Sequence, residues 1–160
     1  TEIDKIKCLF IDKKIITDKL PELLNNNNNL DFNNVRDSCF GGDKINLNEN
    51  LGNIVLKNEN AYFYLSILSN RIEKLINLNY ELLEEKNIEK AIDKIKPPIF
   101  WKDKPIFYKQ ISKWNLKKLE QARKILFDTE IQLKVNTNLN NEILIKNLII
   151  NLYQKASSTS

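Results

Sequence analysis

Apolar residues recur at helical spacing along most of the chain. The longest signal runs from Asn60 to Glu85, where Ala61, Leu65, Leu68, Ile72, Leu75, Asn79 and Leu82 step by four and three. That stripe predicts one helix of ~25 residues, about 37 Å long. Polar side chains such as Ser66, Asn70, Glu73, Asn77 and Glu81 take much of the remaining surface. A second long helix is expected after Asn115, which serves as its cap, with Leu116, Leu119, Ala122, Leu126, Thr129 and Leu133 in the same spacing. The last segment, Glu142 to Gln154, is apolar nearly all round and reads as a central helix or one at an interface. Shorter helices are predicted at Glu2–Ile11, Thr17–Leu24, Leu30–Phe40, Lys44–Leu56 and Ile88–Lys96, and from Pro105 to Trp114.

Breakers separate these segments. The run Asn25–Asn29 favours turns through local side-chain to backbone hydrogen bonds, and a linker is expected there. Gly41-Gly42 stops one helix, and Asp43 is a natural cap for the next. Pro97-Pro98 ends the 88–96 segment, whereas Pro105 opens a helix in its first turn. Asn136–Asn141 reads as a loop and Ala156–Ser160 as a frayed end. With only Gly 3 and Pro 4 in 160 residues, the chain has too few breakers for a turn-rich β-sandwich or barrel. The expected fold class is all-α, a helical bundle whose striped faces pack on one another.

Composition narrows the chemistry. His 0 excludes histidine triads and dyads and most zinc sites. Neither a GxxxxGK[ST] loop nor a GxGxxG fingerprint is present, so the commonest phosphate cradles are not encoded. No catalytic residue, cofactor or metal site is expected, and neither ATP turnover nor primer extension is expected of this chain. The acid pairs Glu84-Glu85 and Glu89-Asp93 read as solvated charge rather than as a general acid and base. Cys8 and Cys39 form neither a CxxC pair nor a disulfide framework and read as reduced thiols in a cytoplasmic protein. No apolar run reaches the ~18 residues of a membrane span, so no membrane partner is expected. Met 0, with an opening at Thr1 inside a periodic segment, reads as a piece of a longer chain.

The net charge of +4 comes almost wholly from lysine, and heavy use of Lys, Asn and Ile matches A/T-rich codons. Its distribution carries more information. Lys94, Lys96, Lys102, Lys104, Lys109, Lys113, Lys117 and Lys118 face one acid, Asp103, a local excess of about +7. Phe100, Trp101, Phe107, Tyr108 and Trp114 interleave with these lysines. Aromatics among lysines can stack bases and bind phosphates, so Lys94, Lys96, Lys102, Lys104, Lys109 and Lys113 are candidate DNA-proximal residues with weak, sequence-independent affinity. Phe107, Ile111 and Trp114, at i, i+4 and i+7, equally describe anchors of a helical hairpin whose lysines form a solvated face. In the final helix, whichever of Ile143, Ile145, Ile149 and Leu152 point outward are candidates for a subunit interface.

The order of segments resembles the C-terminal part of the delta subunit of bacterial DNA polymerase III, a component of the clamp loader. Glu2-Ile3-Asp4-Lys5-Ile6 is similar to that family's "ELdKL" opening, and Ile15-Ile16-Thr17 to its "kkIT". Pro97-Pro98-Ile99-Phe100-Trp101-Lys102 is similar to "RPPvffk", after which some members carry a tryptophan at the position of Trp114. Leu116–Lys134 is similar to the family's "L..Al..L...d..lK" helix. The resemblance covers about residues 1–155, with Lys96 standing where the family has arginine and no family counterpart for the asparagine-rich insert.

The resemblance implies the end of a small helical lid domain at 1–28, a helical collar domain at 30–156 and a tail at 157–160. It implies a non-catalytic oligomerisation role in loading the sliding clamp during replication, inside a holoenzyme that is a DNA-directed DNA polymerase. Implied partners are the other clamp-loader subunits, and the sliding clamp through an N-terminal domain that this sequence does not contain. A basic helical nucleic-acid-binding module, or an unrelated helical scaffold, are the alternative readings.

Overall fold

A computed structural model describes residues 26–57, 60–135 and 140–158, and among these the chain is all-helical. The helices expected at Glu2–Ile11 and Thr17–Leu24, with Cys8 and residues 136–139, lie outside the described residues. The elements are α1 (Asn26–Phe40), α2 (Lys44–Asn53), α3 (Ala61–Glu85), α4 (Ile88–Lys94), α5 (Lys104–Ile111), α6 (Leu116–Val135) and α7 (Asn141–Ser157).

Most boundaries follow local chemistry. The end of α1 is a Schellman turn. Asp43 N–H donates to the Ser38 carbonyl at 3.0 Å and Gly42 N–H to that of Cys39 at 3.2 Å. This geometry needs a left-handed residue, and Gly42 supplies it at φ 65°. Asp43 then caps α2, accepting from the Asn46 backbone N–H at 3.3 Å and from its amide at 2.9 Å. Asn87, Asn115 and Asn140 cap α4, α6 and α7 in the same manner.

Several boundaries differ from the sequence reading; among them, the helix expected at Ile88–Lys96 ends at Lys94 and the one expected to reach Trp114 ends at Ile111. α1 begins at Asn26, inside the asparagine run, so these residues are helical rather than a non-helical break. Asparagine lowers helix stability by only about 0.7 kcal/mol per residue at most, and the turns that follow are anchored by buried Phe32, Val35, Cys39 and Phe40. α2 stops at Asn53 instead of Leu56, because Ile54 and Leu56 are buried from an extended segment. α7 continues through Ala156 and Ser157, where a frayed end was expected. Ala156 is buried, and Lys118 Nζ donates to the Ser158 carbonyl at 2.6 Å, which fastens that end.

Four helices make the frame. α1 packs on α3 and α7, α6 packs on both α3 and α7, and α3 also meets α7. α1 runs in the same direction as α3, with Phe32 beside Tyr64 and Asp37 beside Arg71. α6 runs opposite to α3, since Arg123 reaches Glu73 while Leu126 and Glu130 lie across from Tyr62 and Leu65. The predicted stripes form the core. Leu65, Leu68, Ile72 and Leu75 of α3 meet Leu119, Ala122, Leu126 and Leu133 of α6, and Ile145, Leu148, Ile149 and Leu152 of α7.

Trp114 seals the junction between these helices and the short ones. It is buried against Phe40, with ring centroids 5.2 Å apart, and its Nε1–H donates to the Phe40 carbonyl at 2.9 Å. Asn79 occupies an apolar-stripe position for a related reason. Its amide donates to the carbonyls of Leu75 at 2.9 Å and Trp114 at 3.2 Å, tying α3 to the start of α6.

Candidate interaction surfaces

The final helix resolves the question its composition raised. Ile145, Ile149 and Leu152 are core residues, and Cys39 Sγ lies 3.3 Å from the Ile149 carbonyl. Of the four interface candidates only Ile143 points outward, 57% exposed, and Ile150 joins it seven residues later at 43%. These two sit on one face, two helical turns apart. A second outward apolar row lies on α6, where Phe127, Ile131 and Val135 follow at i, i+4 and i+8. The sequence reading passed over that row because the stripe at 116–133 already accounted for the helix. The extra spacing of Phe127, Ile131 and Val135 was the available signal.

The lysine-rich segment does not form one free basic face. Lys94 pairs with Glu85, Lys104 with Asp93, and Lys109 with Asp43 at 3.1 Å. Hydrogen bonding to Lys94 holds the Glu85 carboxyl below its usual range, and the same contact raises Lys94. The bond to Asp93 likewise raises Lys104. Lys109, followed by Asn46, is the main influence holding the Asp43 carboxyl down. Lys96, Lys102 and Lys113 are exposed and, among the described residues, have no carboxylate at ion-pair distance. The acids Glu85 and Asp93 thus act as surface partners of lysines, and Glu84 and Glu89 are exposed.

The aromatics divide in two. Phe107 and Trp114 are buried anchors, with Ile111 and Tyr108 packed partly against the same core. Phe100 and Trp101 stand in solvent, 58% and 67% exposed. They sit on the turn between α4 and α5, which buried Ile95 and Ile99 hold to the body of the bundle.

A polar network that the sequence reading missed lies between α1, α3 and α5. Arg71 is 6% exposed, and its guanidinium lies 4.2 Å above the Phe107 ring. Its Nη2 pairs with Asp37 Oδ1 at 2.8 Å, and its Nη1 donates to Gln110 Oε1 at 3.0 Å. Asp37 also receives both arms of Arg36, Nε and Nη2, each at 2.8 Å. Gln110 is itself fully buried. Burial pushes Arg71 down to about 10, with Arg36 adding to that effect and Asp37 and Asp103 opposing it. The clue in the sequence was a charged residue three after Leu68 and four before Leu75, on the apolar face of α3. This network floors an open groove of about 920 Å³ bounded by α1, α3 and the 96–107 segment.

Cys39 is a buried free thiol whose pKa is raised by desolvation, which disfavours the reactive thiolate. Among the described residues no cluster of three or more cysteines or carboxylates is placed to hold a metal, and no helix is long and apolar enough to cross a membrane. The described residues therefore define an all-α bundle with two outward apolar rows, an exposed aromatic corner and a polar groove. Comparison with protein-family models, curated proteins and solved structures finds no match for the chain.

Proposed function

We propose that this chain is the C-terminal collar part of a DNA polymerase III delta subunit, a non-catalytic domain that assembles with the other clamp-loader subunits in the cytoplasm. One observation carries the reading: the motifs at Glu2–Ile6, Ile15–Thr17, Pro97–Lys102, Trp114 and Leu116–Lys134 occur in the family's order and spacing. Two further facts support it. Leu116–Lys134 occupies a single continuous helix of the bundle, and Trp114 has a structural role at its start. Assembly also needs apolar surface left over once the core is filled, and α6 and α7 each carry some. Opening of the sliding clamp, nucleotide hydrolysis and contact with that clamp belong, on this reading, to other domains and subunits.

The test uses outward residues only, so that folding is preserved. Ile143→Asp with Ile150→Asp on α7, and separately Phe127→Asp with Ile131→Asp on α6, should keep the helical circular dichroism of the parent chain. At least one pair should abolish co-purification with the remaining clamp-loader subunits. Unchanged recruitment by both variants, or no recruitment of those subunits by the parent chain, would remove the proposal.

A further inference from the structure

The turn at Ile99–Asp103 presents two adjacent aromatic rings to solvent, and the core offers them nothing to pack on. Phe100 and Trp101 lie with centroids 5.8 Å apart at 49°. Lys102 Nζ sits 5.3 Å above the indole, and exposed Lys96 lies on the other side of the pair in sequence. These are two of the lysines in the basic segment that, among the described residues, no carboxylate neutralises. Phe100 also forms one wall of the 920 Å³ groove, which continues past Lys96 and Lys74 to the Arg36–Asp37–Arg71 cluster. The lining holds four cations (Arg36, Arg71, Lys74, Lys96) against three acids (Asp37, Glu73, Asp103). Of those acids, Asp37 is shared by two arginines and Glu73 is paired with Arg123 at 3.4 Å.

We infer that the Phe100–Trp101 corner and the adjoining groove bind single-stranded nucleic acid, with bases stacked on the two rings and phosphates drawn to Lys96, Lys102 and Lys74. The inference rests on this geometry and on nothing in the clamp-loader reading. Solvent-exposed rings with lysines close by are what base stacking plus phosphate attraction requires. Protein interfaces, in contrast, deplete lysine and bring aromatics together with arginine. Bases paired in a duplex cannot turn their faces onto rings at a groove edge, so the site selects single strands.

The test measures fluorescence anisotropy of a labelled oligothymidine of about 15 nucleotides with the full chain, across a salt series, beside a duplex of equal length. Trp114 is buried and Trp101 exposed, so quenching of tryptophan emission on binding reports the corner directly. The single strand should bind more tightly than the duplex. Phe100→Ala with Trp101→Leu should weaken it on the order of tenfold or more without changing the salt slope. Lys96→Gln with Lys102→Gln should instead reduce the log–log salt slope by about 1.4, at ~0.7 per lost phosphate contact. Circular dichroism should be unchanged, since all four side chains are exposed. Equal binding of the duplex, insensitivity to the aromatic substitutions, or a poly-glutamate peptide competing as strongly as the oligonucleotide through Trp101 would each overturn the assignment.

Discussion

Replacing Asp37 by alanine removes the carboxylate that two arginines share, and it leaves Arg71 charged at a position 6% exposed. Breaking a buried ion pair from one side costs about 3–5 kcal/mol, because the remaining charge has lost its compensation. Asp37 is itself 20% exposed and the groove admits water near Arg71, so the expected loss is nearer about 2–4 kcal/mol. Arg71 keeps its bond to Gln110 and its position over Phe107, which also limits the damage.

The companion change Arg71→Met acts differently. Asp37 retains both arms of Arg36, and the one stranded group is the buried Gln110 carbonyl, so about 1–3 kcal/mol is expected. The double variant leaves only Arg36 without its carboxylate, and that side chain is 17% exposed and keeps its bond to Asn33 at 2.7 Å, so the loss should be about 1–3 kcal/mol less than the sum of the singles. Urea denaturation followed by circular dichroism measures all three. With a slope of about 2 kcal/mol per molar, Asp37→Ala should lower the midpoint by roughly 1–2 M. A loss below about 1 kcal/mol, or strict additivity in the cycle, would mean that Arg71 is solvated and that this network does not tie α1, α3 and α5 together.

Two further tests address the joint between α1 and α2. Gly42→Ala should destabilise by about 1–2 kcal/mol from the left-handed backbone alone, since the nearest atom to a new Cβ would be 3.7 Å away, and Gly42→Asn should cost less. Equal stability of all three in chemical denaturation would count against the Schellman turn. Asp43 has its carboxyl held below the ordinary range by Lys109 and Asn46, so its contribution is present above the unfolded value of about 3.9 and is lost as pH falls through the lower folded value. The gap in melting temperature between the parent and Asp43→Asn should therefore close as pH drops from 6 to about 2, and a gap independent of pH would refute the pairing.

Much of the architecture was legible in the residues themselves. Spacing of three and four marked α3 and α6 to within a residue or two, and local side-chain chemistry marked the ends: Gly42, Asp43, Asn115 and Pro105 act where their conformational limits dictate. Such signals are local, carried by residues within one turn of each other, and so they survive without knowledge of what packs nearby. The asparagine run and the end of α7 were misjudged for the complementary reason. Their helical state rests on Phe32 to Phe40 beneath one, and on Ala156 and Lys118 at the other.

What remained open depended on which face meets which neighbour. Sequence listed Ile143, Ile145, Ile149 and Leu152 together, and only the packing of α7 against α1, α3 and α6 separates one exposed residue from three core ones. Charge behaved similarly. Eight lysines in 25 residues read as a single basic run, but Glu85 and Asp93 just upstream of it, and Asp43 from 66 positions away, neutralise three of them. The Arg71–Asp37–Gln110 network joins residues 34 and 39 positions apart, and no local spacing encodes such a meeting. Composition and periodicity determine that this chain makes amphipathic helices; the long-range contacts decide which charges are cancelled, which apolar rows are left outside, and where two aromatic rings face water.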